Sequence, residues 1–287
     1  MRHFWTTGLL VIALTTSAAV CAVAFLNPAA PGHAMPDLVE LRASSFTHRS
    51  SGEFSQDGRP VTAPLMTVTF PYNLVIMRHQ VTAAEYRHCV EAGACPMLDR
   101  DPVAANRPVV KVSWQDAQAY AAWLSRETGA HFRLPTDEEW AYAAGSRFKD
   151  DAIPETIDPG QRVLAIYARD YDGDINREPQ PIGTFGANEN GLVDLAGNVW
   201  EWTDSCFTRR ARDERGETAA RTEHCGVRVV EGRHRAYMTD FVRDASSGGC
   251  SAGAPPSNLG FRLVRDDGGW RPLRRLLVKA QRLGLGA

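Results

Sequence analysis

A single domain mixing short strands with capped helices is the fold class the sequence predicts, and three observations carry it. Residues 65–70, Leu-Met-Thr-Val-Thr-Phe, alternate as a strand does, and the apolar run Leu74–Met77 follows at once. Three times further on, a hydroxyl residue stands three positions ahead of an acid at the start of a helix-spaced run. The chain of 287 residues is 44% hydrophobic and 23% charged, which excludes disorder and supplies one large core or two small ones.

Taken in order, the chain begins Met1-Arg2-His3 and then runs apolar from Gly8 to Leu26, interrupted only by Thr15, Thr16 and Ser17. A basic start, an apolar run and the small residues Ala22-Val23-Ala24 predict an export signal, with a second cleavage position after Ala34. The run approaches the roughly 20 residues that span a bilayer, so retention as a membrane anchor is the alternative. Either way the remainder lies outside the cytoplasm, periplasmic or extracellular. Residues 1–34 are therefore assigned to signal or anchor, and 35–60, rich in Pro, Ser and Gly without a sustained period, to a flexible spacer. The folded domain is expected over 61–268.

The helix starts are Thr82-Ala83-Ala84-Glu85, Ser113-Trp114-Gln115-Asp116 and Thr136-Asp137-Glu138-Glu139. In each, the hydroxyl accepts from the third helical amide while the acid reaches back to the cap. Gly93, Gly129 and Gly145 stand where these helices should stop. In the middle helix Trp114, Ala117, Tyr120, Ala121 and Leu124 share one face, the stripe of a buried helix. Asp170-Tyr171-Asp172-Gly173-Asp174 has the look of a calcium loop, but Pro181 stands where the closing Glu of an EF-hand belongs, and a solvated turn is the reading. Residues 269–287 hold Arg271, Arg274, Arg275, Lys279 and Arg282 with Leu273, Leu276, Leu277 and Ala280 on one face. That tail suits a membrane surface, an acidic partner, or packing on its own domain.

A net charge of -2 gives no field for nucleic acid, which is excluded as a partner. The six cysteines are Cys21 in the signal, then Cys89, Cys95, Cys206, Cys225 and Cys250. Export favours disulfides, and five after signal removal leave an odd thiol. Cys89 and Cys95 flank a helix end at Gly93, where the chain can turn back to pair them.

Five ordered blocks then point one way. They are Arg78-His79-Gln80-Val81-Thr82, Pro108-Val109-Val110-Lys111-Val112-Ser113-Trp114, Phe132-Arg133-Leu134-Pro135-Thr136, Asn190 to Trp202 with Gly197-Asn198-Val199-Trp200-Glu201-Trp202 at its end, and Asn258-Leu259-Gly260-Phe261-Arg262-Leu263. Together they resemble the formylglycine-generating enzyme, or sulfatase-modifying factor, family over about residues 61–266. The resemblance implies one compact α+β domain, related to the C-type lectin fold, with much irregular structure. It does not fix function, because the same domain serves formylglycine synthesis, iron-dependent sulfoxide synthesis, pigment maturation and non-catalytic roles.

The resemblance also implies a structural calcium loop. Carried over residue by residue, Asp194 and Glu201 would supply carboxylates, and Gly197 and Val199 backbone carbonyls. The alternative is an acid-capped turn pinned by two tryptophans. Relatives further suggest a staple between Cys206 and Cys225. The family's catalytic stretch carries Arg-Gly-Gly-Ser-Trp and then two cysteines that bind copper. Here the stretch runs from Arg228 through Glu231-Gly232-Arg233-His234-Arg235 to Asp244, and no cysteine lies between Gly226 and Gly249. Copper in its lower oxidation state wants soft thiolates, so the standard chemistry has no seat.

What replaces it stays open among three readings. Cys250, His234 and Arg243 are the candidate catalytic residues of an oxygen-using enzyme with a rearranged metal site, in which copper or iron is undetermined. A lectin-like binding module is the second reading. The third is a maturation or accessory factor that uses the altered cleft on an exported client protein. Glu231-Gly232-Arg233-His234-Arg235, Gly248-Gly249-Cys250 and Pro255-Pro256-Ser257-Asn258 are similar to accessory proteins associated with copper nitrite reductases, which favours that third reading.

Overall fold

The computed structural model describes residues 34–98, 104–152, 178–240 and 255–266, with 161, 164, 165 and 168 besides. The amino-terminal apolar run, Arg243, Cys250 and the basic tail lie outside the described residues.

Strands β1 (Leu38–Leu41), β2 (Ser44–Arg49), β3 (Glu53–Gln56) and β4 (Arg59–Val61) open the fold, followed by β5 (Leu65–Phe70) and β6 (Leu74–Met77). Helices α1 (Ala83–Glu91), α2 (Trp114–Thr128) and α3 (Asp137–Ala144) come next, with β7 (His131–Arg133) between the last two. The closing half is β8 (Trp200–Arg212), β9 (Thr218–Glu231), β10 (Ala236–Thr239), β11 (Leu259–Gly260) and β12 (Val264–Asp266). The mixed helix-and-strand class expected from the sequence is the class found.

Each helix begins at the expected capping box. Thr82 Oγ1 accepts from Glu85 N while Glu85 accepts from Thr82 N, and Ser113 with Asp116 and Thr136 with Glu139 repeat the exchange. Each such cap is worth about 1 kcal/mol. Gly129 closes α2 at φ 69°, a left-handed position that glycine takes without strain. On α2 the stripe Ala117, Tyr120, Ala121 and Leu124 is buried as expected, joined by Trp123, while Trp114 stays partly exposed.

The flexible spacer at 35–60 is corrected. That segment forms four strands, three of which find partners elsewhere: β1 pairs antiparallel with β6, β2 with β5, and β3 runs parallel to β8, while β4 pairs with β3. Strands of three to six residues show too little periodicity to be read alone, and their stabilisation comes from partners far along the chain. The domain therefore begins near Leu38 rather than Val61.

One sheet has the order β1-β6-β12-β7, and a second runs β10-β9-β8-β3-β4 with β11 parallel to β8. Two hydrophobic clusters result. The larger gathers α1, α2 and the buried ends of β8 and β9 around Tyr120, Trp202 and Phe261. The smaller packs Trp140 of α3 on Leu74, Ile76, Leu192 and Val264. Among the described residues no helix is long and apolar enough to cross a membrane.

Candidate functional site

The loop from Asp194 into β8 holds three of the five non-glycine residues with positive φ among those described. Asp194, Ala196 and Asn198 all have positive φ, at 59°, 56° and 63°. Non-glycine residues hold this conformation only where neighbours over-determine it. Here Asp194 does so by accepting backbone hydrogen bonds from Gly183 N at 2.6 Å and Phe185 N at 2.8 Å. Asn198 adds a reciprocal pair with the backbone of Gln180, at 2.8 and 2.9 Å.

Glu201, fully buried, follows. Its Oε1 accepts from Gln80 Nε2 at 2.8 Å and Arg262 Nη2 at 2.8 Å, and its Oε2 from Trp140 Nε1 at 2.8 Å and Arg262 Nε at 2.6 Å. These donors occupy the carboxylate's lone-pair directions. The same Gln80 Nε2 stands 3.4 Å from both Asp194 O and Gly197 O.

This arrangement does not fit the calcium set expected at Asp194, Gly197, Val199 and Glu201. Calcium needs carboxylate and carbonyl oxygens with lone pairs turned toward a common centre. Instead the Asp194 carboxylate caps one turn, the Glu201 carboxylate is neutralised by Arg262, and Gln80 Nε2 stands 3.4 Å from the Asp194 and Gly197 carbonyls. The alternative of an acid-capped turn describes it, although Trp202 alone of the two tryptophans is fully buried. Exhaustive chelation with EGTA is accordingly expected to leave the thermal midpoint where it was. A fall reversed by added calcium would return the ion to this loop.

Beyond the loop opens a cleft of about 390 Å³ lined by Phe185, Gly197, Asn198, Trp200, Arg233 and Asn258, among others. Trp200 N donates to Asn258 O at 2.8 Å, tying the fourth and fifth sequence blocks together at the cleft. Gly232 is required here, because a Cβ on it would lie 2.3 Å from the Trp200 ring. His234 is buried behind this wall, edge-on to Trp200 with centroids 4.8 Å apart, and its Nδ1 is 2.7 Å from Arg235 O.

The charged stretch after Arg228 therefore divides. Arg233 faces the cleft, whereas Glu231 and Arg235 enter a buried ionic cluster. Arg235 Nε donates to Asp137 Oδ1 and Glu231 Oε1, each at 3.1 Å, and Nη1 reaches Arg49 O at 2.9 Å and Asp151 at 3.3 Å. His48 Nε2 lies 3.0 Å from Asp137 Oδ2. Burial alone would raise the Asp137 carboxyl, but Arg235 and His48 overturn that and hold it below the usual carboxylate range. Burial, and then the Asp137 charge, push Glu231 well above its usual range despite Arg235. Glu231 Oε2 and His48 Nδ1 have no hydrogen-bond partner among the described residues. The cluster's outer rim, Asp151 and Tyr237, lines a second cleft of about 820 Å³ with Arg49, Phe54 and Arg210.

Both cysteine pairs form. Cys89 and Cys95 are bridged with Cα atoms 5.3 Å apart, and Cys206 and Cys225 with Cα atoms 4.5 Å apart. All the described cysteines are thus disulfide-bonded, and no thiolate pair for copper exists among the described residues. The candidates Cys250 and Arg243 lie outside them, and of the candidate trio only His234 is placed.

Residue types alone did not single out Gln80, Arg262, His48 or Asp137 as site-forming. The first two lie inside quoted blocks, Gln80 before Val81 and Arg262 after Phe261, so a polar residue flanked by core positions was the available signal.

Comparison with known proteins bears on the whole arrangement. The chain is 34% identical over 169 residues to the inactive C-alpha-formylglycine-generating enzyme 2 of Mus musculus, covering 56% of this chain and 50% of that protein. It is 30% identical over 203 residues to the formylglycine-generating enzyme of Mus musculus, covering 65% and 50%. It thus spans about half the length of these curated relatives. Among solved structures, PvdO from Pseudomonas aeruginosa superposes with a TM-score of 0.52 at 25% identity, over 80% of this chain and 94% of that one. The family described as the sulfatase-modifying factor enzyme 1-like domain matches residues 25–267, and the chain, with its capping boxes, its Asn190–Trp202 loop and its closing Asn258–Leu263 block, belongs to that family.

Proposed function

We propose that this protein is an exported accessory or maturation factor, which engages another exported protein through the cleft of Trp200, Arg233 and Asn258 without forming formylglycine. The observation that carries this reading is the cysteine inventory. The stretch after Gly226 that holds the family's copper-binding pair has none before Cys250, and the four cysteines of the described domain are paired with each other in disulfides. Copper-thiolate chemistry needs two free soft ligands in one place. What remains is a concave site with an aromatic wall, an arginine and an amide side chain, which suits a polypeptide segment carrying an acidic or polar residue.

The narrower reading makes the client a copper nitrite reductase. It rests on the likeness of Glu231-Gly232-Arg233-His234-Arg235 and the Gly248-Gly249-Cys250 stretch to accessory proteins of those enzymes. The amino-terminal apolar run, as signal or anchor, would deliver the domain to the compartment where such clients mature.

The test pairs two measurements on the purified full chain. Incubated with copper, a reductant, oxygen and a cysteine-bearing sulfatase peptide, it is expected to give no aldehyde product by mass spectrometry. Mixed with purified copper nitrite reductase, it is expected to bind, and Arg233→Glu is expected to weaken binding at least tenfold while the fold survives. Aldehyde formation would remove the non-catalytic reading. Failure to bind would remove that client.

A further inference from the structure

The disulfide between Cys206 on β8 and Cys225 on β9 sits in an asymmetric electrostatic setting. The two strands pair Cys206 opposite Arg228 and then Phe207 opposite His224, so residues 225–227 bulge out of register. Cys225 is exposed on that bulge, whereas Cys206 is half-buried. Arg228 Nη1 lies 3.2 Å from Cys206 Sγ.

That arginine is held in place. Its guanidinium covers the Trp114 ring 3.8 Å from the centroid, and Nη1 also donates to Asp204 O at 3.1 Å. The carboxylates of Asp204, 3.8 Å away, Asp240 and Glu223 act on it, and its Nε has no partner among the described residues. An acid stands nearby, with Glu223 Oε1 4.0 Å from Cys225 Sγ and a Glu223 carboxylate oxygen within 4.8 Å of Cys206 Sγ as well. The fixed cation is therefore in contact with the Cys206 sulfur, while the carboxylate lies near both sulfurs.

We propose that Cys206–Cys225 is a thiol–disulfide exchange site, taking a dithiol of an exported protein as its reaction partner. A partner thiolate attacks the exposed Cys225 Sγ. The Cys206–Cys225 bond breaks, its electron pair leaves on Cys206 as a thiolate beside Arg228, and a mixed disulfide joins the partner to Cys225. A second partner thiolate then attacks its own sulfur in that mixed disulfide and releases Cys225, which takes up a proton from water. The partner leaves oxidised to a disulfide, and this chain is left reduced by the same two electrons.

Exchange is faster and more oxidising when the leaving thiol has a low pKa, and a guanidinium against the sulfur supplies that. The fold provides its own reference, because Cys89 and Cys95 are both buried, with no such cation in hydrogen-bond contact among the described residues. The proposal goes beyond the accessory-factor reading and does not depend on which client fills the cleft of Trp200.

Redox equilibration of the full chain in glutathione buffers, followed by alkylation and peptide mass spectrometry, tests it. The Cys206–Cys225 bond is expected to open with an equilibrium constant at least tenfold more favourable than Cys89–Cys95, about 30 mV. Arg228→Gln should remove most of that difference and Arg228→Lys should keep most of it. In the unaltered protein, a brief pulse of a cysteine peptide should give a mixed disulfide mapped to Cys225. Equal potentials for the two bonds, indifference to Arg228→Gln, or an adduct confined to Cys206 would each overturn the assignment. The adduct map needs no variant, so misfolding of a substituted chain leaves the proposal open to refutation.

Discussion

Arg262→Met is expected to lower the free energy of unfolding by about 3–5 kcal/mol, because it strands a buried carboxylate. Glu201 and Arg262 are both fully buried, and their contact is a fork at 2.6 and 2.8 Å. Arg262 also donates to the backbone carbonyls of Arg78 and Val193, each at 3.1 Å, so it ties together the β6 exit, the Asn190–Trp202 loop and β8. Methionine keeps much of the volume but supplies no donor, leaving Glu201 with Gln80 and Trp140 alone. Urea unfolding of the single variant and of Arg262→Met with Glu201→Gln separates charge from packing. The double variant should recover more than half of the loss, since the neutral amide no longer demands the cation. A single-variant cost below about 1 kcal/mol would show that the pair contributes little to the fold.

The same pair shows what the sequence could and could not convey. Helix starts were legible because a capping box is complete within four consecutive residues, and Thr82, Ser113 and Thr136 all act as read. The bridge between Cys89 and Cys95 was legible for a similar reason, both cysteines lying at one helix end. The role of Glu201 was not. Its partners Gln80, Trp140 and Arg262 come from three remote segments, and only the folded arrangement converts a carboxylate expected on a metal into one paired with a cation.

The opening strands failed for a related reason. Ser44–Arg49 has a half-exposed, irregular burial pattern, and its stability lies in pairing with Leu65–Phe70 rather than in its own composition. Trp114 packs on the core as the spacing predicts, but only as a partly buried ring, because helical spacing specifies a face and not its partner. That partner is the guanidinium of Arg228, which keeps the ring near the surface.

Arg235→Met is expected to cost about as much as Arg262→Met, roughly 3–5 kcal/mol, and to change the pH dependence in a way that identifies the cause. Asp137, with its folded pKa depressed from 3.8, contributes stability that is present above that value and is lost as pH falls below it. Glu231 has the opposite sign. Its folded pKa is raised above 4.5 by burial and by Asp137, so the native state binds its proton more tightly than the unfolded chain does. Its contribution is full below 4.5 and declines as pH rises toward the raised value.

Unaltered protein should therefore lose stability on both sides of an acidic optimum. Glu231→Gln should flatten the alkaline arm alone, because an amide keeps the neutral form at every pH. Arg235→Met removes the cation that keeps Asp137 ionised, so it should shrink the acid-side loss as well as lower the whole curve. Urea midpoints between about pH 2 and pH 8 read both effects. An alkaline arm of unchanged slope in Glu231→Gln would mean that Glu231 is ionised in the native protein.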